Sequence, residues 1–175
     1  MTLKMKHGLA TFFAFLFLCA TPAFAQSSAS ASASGTTQII RPIAIAKDAD
    51  LAFGTIIRPT SGTGSIAIAN SADSVTAGSG AASGGGTVSR AKFSITGEGG
   101  QTVSISVPAS FDLSGPSAST LTVTLDGDLG ASTTLSNSLG SEGSASLNVG
   151  GSFSLPSTQT LGAYSGSFQV DVAYN

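Results

Sequence analysis

The sequence predicts an all-β protein, an antiparallel immunoglobulin-like β-sandwich of about eight short strands, and three observations carry that prediction. Beyond residue 25, large apolar side chains recur at every second position. The alternating runs are short and end at Gly, Ser, Asn, Asp or Pro. No stretch beyond residue 25 spaces its apolar residues at the helical period.

The chain opens with a different kind of segment. Lys4 and Lys6 precede an apolar run from Leu9 to Ala20, and Ala23-Phe24-Ala25 has the small-x-small form of a cleavage site. Residues 1–25 therefore read as a signal peptide, and the protein is expected to be exported through the inner membrane to the periplasm, cell surface or exterior. The apolar run is shorter than the roughly 20 residues of a spanning helix and stops at Pro22, so the chain is not expected to span a membrane. Leu18 stands before Cys19 where a lipoprotein signal wants a small residue. Residues 26–37, "QSSASASASGTT", hold no side chain large enough to offset ordering entropy by burial and read as a flexible leader; the sandwich is assigned to residues 38–175.

The strands follow in order. "QIIRPIAIA" (38–46) aligns Ile39, Ile43 and Ile45 on one face, with Pro42 suited to an edge. "DLAFGTII" (50–57) and "GSIAIAN" (64–70) come next. The stretch 76–89, "TAGSGAASGGGTVS", contains five glycines and reads as a loop. "AKFSI" (91–95), "TVSISVP" (102–108) and "TLTVTLDG" (120–127) alternate, as does "SLNVGGSFSLP" (146–156), which keeps Leu147, Val149, Phe153 and Leu155 in one register. The last run, Tyr164 to Tyr174, is large and apolar at every second position except Gly166. The expected core contains Phe53, Val103, Ile105, Leu121, Val123, Leu147, Val149, Phe168, Val170 and Val172.

Composition excludes several functions. Residues 26–175 contain no Cys, His, Met or Trp, so they offer no thiolate, imidazole or disulfide chemistry. Five cations, Arg41, Lys47, Arg58, Arg90 and Lys92, stand against nine carboxylates for a net charge of −4, and no basic face suits nucleic acid. The serines lack a histidine base, so no catalytic residue is assigned and the chain is not read as an enzyme. No cofactor or metal ligand set is assigned either. Asp126-Gly127-Asp128 fits a turn better than a calcium loop, since the distal glutamate of such a loop is missing. Lys47-Asp48-Ala49-Asp50 reads as a solvated connection, and the Thr120, Thr122, Thr124 row as the wet face of a strand. Seven aromatics beyond residue 25 are too few for the girdles of an outer-membrane barrel.

Two stretches resemble known families. "IRPIAIAKDADLAFGTIIRPTSGTGSIAI" is similar to the opening of the domain of unknown function 4402 family of secreted bacterial proteins, with its apolar strand, Phe-Gly-Thr turn and second strand. The ending resembles that family too, and also spore coat protein U-like and chaperone-usher pilin subunits. The pilin pattern asks for a penultimate aromatic, matched by Tyr174, and a glycine fourteen residues from the end, matched by Gly162. The chain departs from many pilins in having no disulfide, and from their donor extensions in having only small residues before Ile39.

The resemblance implies a pilin-like sandwich and an exported structural subunit of a bacterial surface appendage, fimbrium or coat, assembling by strand complementation. Its partners would be a periplasmic chaperone, an outer-membrane usher and like subunits. The assembly strand would comprise Gly162, Tyr164, Gly166, Phe168, Val170, Val172 and Tyr174. The candidate donor is residues 36–46, with Ile39, Ile43 and Ile45; the same residues read equally well as the protein's own first strand. The alternative function is a self-contained secreted or surface binding domain that does not polymerise.

Overall fold

The structure is a computed structural model that describes residues 28–175; the expected signal peptide, its cleavage site and the start of the leader lie outside the described residues. Residues 28–37 carry neither strand nor helix. Gln38–Asn175 is one compact unit.

Fourteen strand segments make up that unit: β1 Ala44–Ala49, β2 Ala52–Phe53, β3 Ile56–Ile57, β4 Thr63–Ile68, β5 Val75–Gly78, β6 Ala82–Ser83, β7 Val88–Ser89, β8 Ala91–Glu98, β9 Thr102–Ser106, β10 Ser110–Ser114, β11 Thr120–Gly127, β12 Ser132–Thr134, β13 Glu142–Pro156 and β14 Asp171–Tyr174. One 3-10 turn, Pro116–Ala118, joins β10 to β11. Every strand pairing is antiparallel. The larger sheet runs β1-β8-β13-β11-β10, with β4 on β13 and β5 on β4, and curls into a half-barrel. A second sheet, β12-β9-β14, contributes Val103, Ile105 and Val172 to the same core. The all-β antiparallel sandwich that the period-two pattern predicts is the architecture observed.

Alternation fixes which side chains are inside. In β11, Leu121, Val123 and Leu125 are buried while Thr120, Thr122 and Thr124 are exposed, as a pleated strand with one wet face requires. All ten expected core residues belong to the apolar cluster; Phe53, Phe168 and Val172 are half-buried at its margin and the others are buried. Phe53 and Phe153 meet edge to face, ring centres 4.9 Å apart.

The strand boundaries differ from expectation in five places. The first strand begins at Ala44, not Gln38, because Pro42 has no N–H and the backbone of Arg41 is engaged elsewhere. The run 50–57 divides into β2 and β3 at Gly54, whose φ of +69° and closeness to the Gly85 carbonyl leave no room for a side chain. The glycine-rich stretch 76–89 is not a plain loop: it contains most of β5, all of β6 and β7, and pairs with β4, β3 and β2. Lys47, Asp48 and Ala49 lie within β1 rather than in a connection. The expected continuous strand from Tyr164 to Tyr174 is strand only over Asp171–Tyr174, with an isolated bridge at Ser165.

Candidate functional site

The C-terminal residues trace an extended path along the margin of both sheets. Gly162 packs against the Pro116 ring, where the chain turns into the segment. The Tyr164 hydroxyl donates to the Thr160 carbonyl at 2.7 Å and accepts from Gln159 Nε2 at 2.8 Å. Ser165 exchanges backbone bonds of 2.8 and 3.0 Å with Ser114 of β10. Gly166 interrupts the apolar alternation because the Asp112 carbonyl oxygen occupies the space its Cβ would take. Phe168 then lies against Phe111 and Phe93, with ring centres at 5.0 and 6.3 Å, and Val170 is buried. Val172 and Tyr174 face the core from β14, opposite Ile105 and Val103 of β9.

Between the bridge at Ser165 and the start of β14, residues 166–170 make no backbone–backbone hydrogen bond among the described residues. Beside them lies a groove of about 500 Å³, bordered on the other side by Ile45 and Lys47 of β1 and floored by Phe93. β1 pairs only with β8, so its second edge faces this groove unpaired. A wider cleft of about 840 Å³ continues along residues 159–166, with Phe53, Leu121 and Phe153 in its apolar wall. An unpaired edge with alternating apolar side chains is the chemical form of a strand-addition site.

The candidate donor residues are also placed. Ile43 and Ile45 pack against the chain's own core, whereas Ile39 is 90% exposed. Between them, Arg41 is fastened on every polar side. Its backbone N–H and Nη1 each donate to Glu98 Oε2 at 3.3 Å, Nη2 donates to the Gly140 carbonyl at 3.3 Å, and its carbonyl accepts from the Tyr174 hydroxyl at 2.9 Å. The same hydroxyl accepts from the Glu98 N–H at 2.7 Å, and the Gly140 N–H donates to Glu98 Oε1. Glu98 is 3% exposed, the one buried charged side chain among the described residues. The Gly140 N–H, and after it Arg41, hold its carboxyl below the usual carboxylate range against the opposing effect of burial.

Residues 43–174, from the root of β1 to the penultimate tyrosine, match the family described as Domain of unknown function (DUF4402). The chain belongs to the DUF4402 family. No curated protein and no solved structure gives a significant match.

The other candidate residues of this DUF4402 chain make contacts within the fold. Asp128 accepts from the Asn148 N–H at 2.8 Å and from Asn148 Nδ2 at 2.6 Å, and Asp126 accepts from Asn70 Nδ2 at 3.0 Å, so both carboxylates tie loops to strands. No group of three metal-ligating side chains occurs among the described residues. Lys47 pairs with Asp50 at 2.6 Å on the surface. Asp73 bridges Lys92 at 2.7 Å; the Lys92 hydrogen bond, with the Arg90 N–H, lowers its carboxyl below the usual range. Among the described residues no helix is long and apolar enough to cross a membrane.

Arg41, Glu98 and Gly140 are the residues that the sequence reading does not single out. Glu98 sits in "TGEGGQ", which looks like an exposed turn, and no spacing links it to an arginine 57 residues earlier. The one available signal is that Glu98 is a lone carboxylate set among Gly97, Gly99 and Gly100 at the end of the run that contains Phe93 and Ile95.

Proposed function

We propose that this protein is an exported structural subunit of a bacterial surface appendage or coat, and that copies join by exchanging the first strand. In this reading residues 36–46 of one copy lie in a neighbour between β8 and the C-terminal segment. The observation that carries it is the setting of β1. It is an edge strand held by one backbone partner, its other edge borders an open groove, and the facing residues 166–170 are themselves unpaired. A strand so placed, preceded by residues that form no secondary structure, can leave by breaking its ladder to β8 while the pairings of β13 with β8, β11 and β4 stay intact. The same contacts remade between copies make exchange a low-cost route to association. A periplasmic chaperone and an outer-membrane usher are the partners this reading assigns, the chaperone covering the vacated groove before a neighbour does.

A second reading, a self-contained domain that does not polymerise, is favoured by one observation: Ile43, Ile45 and Arg41 already lie in place within a single chain. Disulfide trapping separates the two. Ala44 and Thr96 face each other across β1 and β8. With Cys19 replaced by serine, the doubly substituted Ala44→Cys, Thr96→Cys protein offers no other thiol. Exchange gives a ladder of linked copies on a non-reducing gel; a band at monomer mass alone, at high protein concentration, refutes it.

A further inference from the structure

Resting on that reading, we infer that Arg41 and Glu98 form the recognition key of the exchanged strand: the partner that fits the acceptor is a second copy of this chain, and its Arg41 supplies the cation for the buried carboxylate. An acceptor without a donor leaves Glu98 with the Gly140 N–H as a partner but without the cation and the backbone N–H that Arg41 supplies. A buried carboxylate is costly unless paired and hydrogen-bonded, so the vacant acceptor favours a strand bearing a cation at one position. Ile43 and Ile45 do not fix that position alone, because residues 38–46 present isoleucines at several points along one face. Arg41 does, since a shift of two residues would bring Ile39 or Ile43 to the carboxylate. The backbone joins in: Arg41 lends its N–H to Glu98 and its carbonyl to Tyr174, so the key joins the donor to β8 and to the C-terminal strand at once.

The key implies complementation between two defective chains. An Arg41→Ala chain retains a good acceptor and an impaired donor; a Glu98→Gln chain retains a good donor and an impaired acceptor. Both are made at full length with Cys19→Ser and mixed at equal concentration. In one mixture Ala44→Cys is carried by the Glu98→Gln chain and Thr96→Cys by the Arg41→Ala chain, so the disulfide reports the intact key. In the other, Ala44→Cys and Thr96→Cys are carried by two Arg41→Ala chains, and the disulfide reports a junction that keeps Glu98 but lacks Arg41. The intact-key mixture should give at least about tenfold more heterodimer, from the cost of leaving the Glu98 carboxylate without its cation. Equal yields overturn the inference while leaving strand exchange standing. If Ala44→Cys and Thr96→Cys chains with the natural key also fail to cross-link, exchange and key fall together. Should Arg41→Ala not fold, Arg41→Gln takes its place and the same ratio decides.

Discussion

Strand β13 and the C-terminal residues 162–174 are written in the same code, apolar side chains at every second position with glycines among them, yet they end in opposite structural situations. β13 is hydrogen-bonded along both edges, to β8 and then β4 on one side and to β11 on the other. The C-terminal residues are bonded at Ser165 and in β14, and bare between. Period-two alternation therefore specifies which face meets the core and leaves open which backbone lies alongside. Burial comes from the segment's own sequence; pairing depends on what else reaches the same edge.

The largest expected effect lies in β13. Leu147 is fully buried, and its neighbours are held from both sides, so the site cannot collapse around a lost side chain. Leu147→Ala should cost about 3 kcal/mol in urea unfolding, with an unchanged m-value. A loss below about 1 kcal/mol would show that β13 is no more tightly held than the margin, and would break the comparison.

A smaller and more local effect is expected in the C-terminal segment. At Gly166 a methyl group meets the Asp112 carbonyl, which belongs to the edge strand β10 and can yield outward. Gly166→Ala should cost about 1–2 kcal/mol as overpacking relieved by local movement. Hydrogen exchange checks the locality: the Ser114 and Ser165 amides should lose protection while amides in β13 keep theirs. Equal loss in both regions would mean that the segment is built into the sheet as firmly as β13.

The same contrast explains how much was readable in advance. Leu147, Val149, Phe153 and Leu155 reveal a buried strand because side-chain pattern and outcome are one and the same there. The threonine row of β11 does likewise. β12, "STT", and the two-residue pairings in the glycine-rich stretch stayed hidden because they are held by backbone bonds with almost no apolar pattern. β10 was overlooked for another reason, being only Phe111 and Leu113 long in apolar terms. Gly162, Phe168, Val170 and Tyr174 were legible as one alternating face. The bare backbone between them was not, since an absent neighbour leaves no mark on a segment's own sequence. Arg41 and Glu98 were illegible because ion pairing across a fold depends on distance in space, and no local rule relates two charges so far apart in the chain.

The smallest expected effect on stability falls at Ile39, and it sharpens the comparison most. Its side chain is 90% exposed, and the residue lies ahead of the Arg41 attachment and belongs to no strand, so in an isolated copy it has little burial to lose. Ile39→Ser should leave the unfolding free energy within about 0.5 kcal/mol of the parent. In an assembly the residue has a different environment. A donor strand continued beyond Arg41 carries Ile39 onto the neighbour, and an aliphatic side chain exposed in the free copy gains a surface to cover. Ile39→Ser should therefore reduce the yield of linked copies in the Ala44→Cys, Thr96→Cys protein while the melting temperature stays unchanged. A fall in both would place Ile39 in the monomer's own packing. A fall in neither would end the donor strand at Arg41, and leave Ile43 and Ile45 as its only apolar contacts.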